Sequence, residues 1–484
     1  MQFKVIQRIL GLLVMVFSLT MIPPMIVGLG MGDPDLTPFY WAFLIVLGSG
    51  LGLWLPVRKA NANLRTRDGF LVVTLFWTVL STAAAVPFMF SSALNASFTD
   101  AMFEAVSGFT TTGSTVFGNI EGLPRSILFF RQEIQWLGGM GMIVLAVAIL
   151  PMLGVGGMQL YKAETPGPVK DSKLTPRIAE TARLLWYVYL VLTIMCAVMY
   201  WLTGMDWFDA ITHSFSTVST AGFSTHDASL AYFDEQRGVG WTAIVFMFLG
   251  GVNASLHFAV WKTSDIRCYW RDSEFRTYLL IVLGSAWIAT AYLYAKNIYP
   301  SLQDTLFHGL FQFTSSITTT GFSTTNYANW PTFLPVLLFF VSFVGGSAGS
   351  TAGGIKVIRI LLLIKQGMRE TTRLIHPNGR FVIKVNGEAL PENVVESVWG
   401  FFAAYVGVFV FFMLAVMATD LDQRTAFSAV ASSLNNQGLG LGLVAGNYAP
   451  LTAPAKWLLA LAMLMGRLEL FTMLVLLTPA FWRR

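Results

Sequence analysis

The sequence is poor in charge. Only 12% of its 484 residues are Asp, Glu, Lys or Arg, about half of what soluble domains carry. Cysteine is nearly missing too. Cys196 and Cys268 have no metal-ligand spacing, which argues against a disulfide framework and a zinc site. They read as small packing residues. His213, His226, His257, His308 and His376 are scattered, without a matched Ser, Cys or carboxylate pattern. There is no P-loop and no dinucleotide G-x-G-x-x-G after a strand, which argues against an ATPase or a redox enzyme. No catalytic residues are assigned, and any nucleotide control must come from a partner.

What the chain has is apolar length: 55% of it is hydrophobic. Stretches 69–92, 184–202, 239–261, 277–295 and 397–418 hold almost no charge, and 9–30 and 38–56 add two more. Residues 127–154, 334–364 and 455–482 add three with polar interruptions. A bilayer span needs roughly 20 apolar residues, so the reading is an all-α integral membrane protein with ten transmembrane helices. Lys4 and Arg8 precede the first run, as in a signal peptide. That run continues to Gly30 without an A-x-A-like site, so it reads as a retained helix, bent at Pro23-Pro24.

The net charge of +5 is unevenly spread. Basic clusters fall at Arg58–Arg67, Lys162–Arg183, Lys262–Arg276 and Lys365–Lys384, and the alternate loops are acidic or neutral. The positive-inside rule places the basic loops and both termini in the cytoplasm. Topology alone accounts for these charges, so nucleic-acid binding is not needed.

Four polar segments lie between successive spans on the outer side: FTTTGST (109–115), STAGFST (219–225), TTTGFST (318–324) and NNQGLGL (435–441). Their central glycines, Gly113, Gly222, Gly321 and Gly438, are roughly a hundred residues apart. Six residues before each sits Ser107, Ser216, Ser315 or Ser432; twelve before sits Ala101, Ala210, Gly309 or Ala426. The residues between read as a short helix. Each repeat is therefore a span, a short re-entrant helix, an extended filter loop and a second span. The boundaries are 1–68 for an N-terminal transmembrane hairpin, then pore repeats at 69–154, 155–262, 263–384 and 385–484. Irregular backbone at membrane depth is tolerated only where protein or a water-filled cavity satisfies it. Four such segments satisfy that rule by converging on one pore axis.

A dehydrated cation needs oxygen ligands, and rings of backbone carbonyls supply them in K+ channels. Glycine permits φ > 0 and close backbone approach, so the carbonyls before it can turn inward. Thr111, Thr112, Thr220, Thr318, Thr319 and Thr320 add hydroxyls, Ala221 is compact, and Asn435, Asn436 and Gln437 make the fourth segment different. No Lys or Arg lies in the four segments, and Asp100, Asp206, Asp209, Asp227 and Asp234 lie nearby. The third repeat's second span is interrupted by Gly345, Gly346, Ser347, Ala348, Gly349, Ser350, Thr351, Ala352, Gly353 and Gly354. Its functional reading is a mobile intramembrane gate loop, with few side chains to hold it; the alternative is a small-residue packing face. Arg467, near the middle of the last span, is a functional candidate by its depth. Glu469 or loop carbonyls are its expected partners.

These residues resemble the TrkH family, the membrane subunits of bacterial Trk potassium uptake systems within the Trk/Ktr/HKT superfamily. The resemblance covers essentially the whole chain. It rests on TTTGST, STAGFSTHDAS, GGSAGSTAGGIKVIRILLL, NNQGLGLG and GRLELFTMLVLLTPAFWR, and on the loop MQLYKAETPGPVKDSKLTPRIAETA (158–182). It implies a homodimer with one pore per subunit and a cytosolic ring of TrkA-type nucleotide-binding subunits. The expected setting is the bacterial inner membrane. The implied filter positions are Thr111, Thr112 and Gly113; Thr220, Ala221 and Gly222; Thr319, Thr320 and Gly321; and Asn436, Gln437 and Gly438. The implied gate is Gly345–Gly354 with Arg467 beside it. Four filter glycines favour K+, with Rb+ as a further substrate and Na+ as a weak one. The second segment's STAG, the third's TTTG, and Ser347 and Ala352 depart from many relatives. The leading expectation is a gated, channel-like K+ uptake protein; a symporter coupling K+ to H+ or Na+ is the alternative.

Overall fold

The computed structural model describes residues 1–60, 65–144 and 174–483. It is helical, apart from one two-stranded hairpin that pairs Lys384–Val385 with Glu388–Ala389. Among the described residues six helices are long and apolar enough to cross a bilayer: Phe3–Met31, Thr37–Val57, Arg67–Phe90, Ala182–Leu202, Ser273–Ala295 and Glu392–Met417. The first is interrupted by a 3-10 turn at Leu19–Met21, just before Pro23-Pro24. The family of expected spans also includes two sharply bent pairs. Arg237–Gly250 and Ala254–Thr263 meet at 93°, and Ala453–Arg467 and Phe471–Leu477 at 115°. The remaining two are Arg125–Val144, which runs to the edge of the described residues, and Phe333–Val344, which stops at Gly345.

The bend at residues 251–253 corrects the expectation of one continuous span over 239–261. Gly250 abuts the end of another helix, where a Cβ would sit 3.1 Å from the Val218 oxygen. Asn253 then starts a new helix, its side chain accepting from Ser255 N at 2.8 Å. His257 Nε2 lies 2.9 Å from the Leu249 oxygen near the break.

Four short helices cannot span a bilayer by length: Phe98–Phe109, Trp207–Val218, Leu302–Ile317 and Gln423–Asn435. Each begins at a side-chain cap: Ser97, Asp206, Ser301 and Asp422 accept from the backbone N–H three residues on. Each packs on the long helix before it, and each also meets the helix leaving the previous short helix. Ala453–Arg467 packs on Phe98–Phe109 and so closes the circle.

The distribution of polarity is inverted relative to a water-soluble protein. Trp287 and Leu280 are 72% and 71% exposed, whereas Thr319, Thr320 and Gln437 are fully buried. An apolar outside around a polar centre suits a lipid surround.

Candidate functional site

The C-termini of the four short helices deliver the four glycine segments to one place. The partial negative charge of a helix C-terminus favours a cation there. Backbone geometry repeats closely. The residue two before each glycine, Thr111, Thr220, Thr319 or Asn436, has φ of 55°, 52°, 53° or 54°. The glycines follow at 82°, 82°, 84° and 89°. The left-handed region costs a threonine about 1 kcal/mol or more, so the surroundings must impose it. Part of that imposition is visible. The residue just before each glycine donates its N–H to the serine five residues earlier: Thr112 to Ser107, Ala221 to Ser216, Thr320 to Ser315 and Gln437 to Ser432, at 2.8–2.9 Å.

The glycines interlock in a circle. A Cβ on Gly113 would overlap the Ala221 oxygen, and one on Gly222 the Thr320 oxygen. One on Gly321 would overlap the Gln437 oxygen, and one on Gly438 would press on the Thr112 oxygen. Each segment thus sits against the carbonyl of the next, and the fourth returns to the first. The main-chain oxygens of Thr111, Thr220, Thr319 and Asn436 accept no hydrogen bond among the described residues, although these residues are at most 1% exposed. A buried oxygen left unpaired costs about 1–3 kcal/mol, so four together are a site suited to a positive ligand. All four glycines open onto a cavity of about 450 Å³, also lined by Asp227, His226, Asn326 and Asn447. Asp100, in the first turn of Phe98–Phe109, accepts from Lys456 Nζ at 2.7 Å. Burial raises its carboxyl pKa, but hydrogen bonds from Lys456 and Ser97 and the Lys456 charge outweigh this and hold it below the ordinary value.

The Gly345–Gly354 loop lies directly against the N-terminal ends of these segments. Gly353 N donates to Thr319 Oγ1 at 2.7 Å, and a Cβ on Gly353 would overlap the Asn435 oxygen. Thr351 Oγ1 donates to the Val218 and Gly250 oxygens at 3.0 and 3.1 Å and meets Thr220 Oγ1 at 3.2 Å. Ser347 N donates to the Gly251 oxygen and Ala348 N to Glu274 Oε1, at 2.8 and 2.7 Å. Ser350 Oγ bonds back to the Ser347 oxygen at 2.6 Å, and the Gly349 oxygen accepts from Ala254 N at 3.3 Å. The Gly346 oxygen accepts from Val357 N at 3.0 Å. The loop has few side chains to hold it, as expected, but each residue from Gly346 to Gly353 makes at least one main-chain hydrogen bond, so it is not loosely held.

Arg467, 2% exposed, donates to the Thr351 oxygen at 3.0 Å and the Gly138 oxygen at 3.1 Å. Of its two expected partners it takes the carbonyls; Glu469 pairs with Arg359 at 2.5 Å. Sequence reasoning missed Lys356, which donates from Nζ to the Ala352 oxygen. It also missed Glu274 beneath the loop, and the buried pair of Arg131 and Glu104 at 2.8 Å beside the first two segments. A small cavity below the segments is lined by Ala352, Gly353, Lys356, Arg359, Arg467 and Glu469 among others. The loop 158–173 lies outside the described residues.

Comparison with known proteins agrees with this architecture. The TrkH family model, described as cation transport protein, matches residues 35–484. The chain is 54% identical over 485 residues to the Trk system potassium uptake protein TrkH of Vibrio parahaemolyticus, covering 100% of both. It is 52% identical over 483 residues to the protein of the same name from Escherichia coli K12, again covering 100% of both. The crystal structure of the potassium transporter TrkH from Vibrio parahaemolyticus superimposes with a TM-score of 0.93 at 51% identity, over 100% of each chain. The chain is a multi-pass membrane protein and belongs to the TrkH family of cation transport proteins.

Proposed function

We propose that this chain takes up potassium through a gated, channel-like pore formed within the single polypeptide. The observation that carries the reading is the closed ring of four glycine segments with unpaired main-chain oxygens. Thr111, Thr220, Thr319 and Asn436, with the residues flanking them, replace the hydration shell of a dehydrated K+. The names of its relatives, potassium uptake proteins, support the choice of ion. In this reading the chain has ten spans: the hairpin 1–68 and four repeats at 69–154, 155–262, 263–384 and 385–484. Both termini are cytoplasmic, and the membrane is the bacterial inner membrane.

Gly345–Gly354 is the gate in this proposal, and Arg467 one of its fasteners. The loop's position against Thr319, Thr220 and Asn435 supports a block on the permeation path. A network of this kind opens when a partner contributes differential binding to the open state. That partner is a TrkA-type nucleotide-binding ring on the cytosolic face, and the working unit is a homodimer. One observation favours a symporter as the second reading: Glu133 is 7% exposed and its Oε2 has no hydrogen-bond partner in the described structure. The test is influx of K+, Rb+ and Na+ into proteoliposomes. The proposal expects K+ and Rb+ to enter well ahead of Na+; equal entry, or none, would overturn it.

A further inference from the structure

We propose that Gln135 is a positioning residue for cation selection, holding the second glycine segment in shape from behind. The inference rests on the reading of the four segments as a cation filter. Gln135 is fully buried. Its Nε2 donates to the Ala221 oxygen at 2.8 Å, and its Oε1 accepts from Phe223 N at 3.2 Å. These two groups flank Gly222, so one side-chain amide brackets the glycine as a neighbouring strand would. A glycine offers the backbone no steric guidance of its own, and this bracket supplies it.

Two neighbours on the same face of Arg125–Val144 extend the clamp. Gln132 Nε2 donates to the Phe223 oxygen and Arg131 Nη1 to the Ser224 oxygen, both at 3.3 Å. Residues three and four apart share a helix face, so 131, 132 and 135 meet successive peptides of 221–224. Arg131 is itself fixed by Glu104 at 2.8 Å. The other segments are pinned otherwise. Ser315 Oγ donates to the Phe322 oxygen at 2.8 Å, Tyr327 Oη to the Gly440 oxygen at 2.7 Å, and Val116 N to Glu104 Oε2 at 2.9 Å. The Ala221 oxygen is also the atom that Gly113 packs against. Gln135 therefore sets the spacing between the first and second segments as well as the shape of the second.

An amide is needed because the site requires a donor and an acceptor on one planar group. Glutamate at this position would set a second acceptor against the Ala221 oxygen, and leucine would abandon both backbone groups. The test uses the full chain in proteoliposomes, with Gln135→Glu, Gln135→Leu and Gly222→Ser measured in parallel. K+ and Na+ influx are read per monodisperse protein. The expected result is a fall of about tenfold in the K+ over Na+ ratio for both Gln135 variants, with at least as large a fall for Gly222→Ser. Wild-type ratios in the Gln135 variants beside an altered Gly222→Ser would overturn the positioning role and leave the filter reading intact. A wild-type ratio in Gly222→Ser would remove the filter reading, and this inference with it. Equal loss of both influxes at a constant ratio would mark packing alone and also count against it. Gln135→Glu, close to glutamine in volume, decides the matter where the leucine variant does not fold.

Discussion

The guanidinium of Arg467 donates to the main-chain oxygen of Thr351 at 3.0 Å, joining the last broken helix to the loop under the four glycine segments. Its other terminal nitrogen, Nη2, reaches the Gly138 oxygen at 3.1 Å, so one buried cation ties three distant stretches of chain. Lys356 secures the next loop carbonyl, that of Ala352. If this loop blocks permeation, Arg467→Ala should raise partner-free Rb+ influx several-fold. The check is influx per folded protein in liposomes without any cytosolic ring. A well-folded Arg467→Ala variant with unchanged or lower influx would show that the arginine only packs.

The glycine ring makes a sharper demand than conformational freedom alone. A Cβ at Gly113 meets the Ala221 oxygen, and one at Gly438 the Thr112 oxygen. Serine at either position should cost about 1–3 kcal/mol of stability from overpacking, and should lower discrimination of K+ from Na+. Thermal unfolding and competitive ion influx measure the two effects separately. Wild-type selectivity in all four glycine variants would sink the convergent filter.

Cytosolic docking gives a third expectation. Arg373 is half exposed and contacts only Glu370, at 3.4 Å, among salt bridges in the described structure. Arg369 lies 3.3 Å from Glu370 and 3.6 Å from Glu392. Reversing both charges should weaken co-purification of the nucleotide-binding ring by several-fold while leaving the K+ over Na+ ratio unchanged. The opposite pattern, intact ring binding with altered selectivity, would reject this docking surface.

A fourth concerns acid. Asp100 sits in the first turn of Phe98–Phe109 and pairs with Lys456 across the closure between the first and fourth segments. Its carboxyl pKa is lowered in the folded state. The stabilisation is therefore present above the ordinary carboxylate value and is lost as pH falls through the folded value. Because Asp100 is partly exposed, it amounts to about 1 kcal/mol or less. Asp100→Asn should melt slightly below wild type at pH ~7, and the gap should close below pH ~4. Melting curves at the two pH values check this; a gap that widens in acid would contradict it.

Legibility in the sequence followed the chemistry of each position. The four glycines were readable because a closed backbone ring leaves no room for Cβ, and their register with Ser107, Ser216, Ser315 and Ser432 was visible without a fold. Thr111, Thr220 and Thr319 were readable as pore candidates but not as left-handed residues, since threonine has no preference for that region. Gln135 and Arg131 fall among the polar interruptions of 127–154, and Glu104 lies inside the first short helix. Their roles depend on partners across the fold, such as Ala221 and Ser224, which no local pattern reveals. The third helix begins at Ser301, a turn earlier relative to its glycine than the others, and only the Ser301–Asp304 cap marks that start. The bend after Gly250 stayed hidden because 239–261 carries no charge, and Gly250, Gly251 and Asn253, which mark the break, do not interrupt that uncharged run.

The most direct test of the central claim is the reversal potential of the reconstituted protein in a planar bilayer, with K+ unequal across it and a pH gradient then imposed. A K+ conducting pore predicts reversal at the K+ equilibrium potential and no movement when the pH gradient is added. A reversal potential that follows the proton gradient, or no K+ current with the gate fasteners removed, would contradict it.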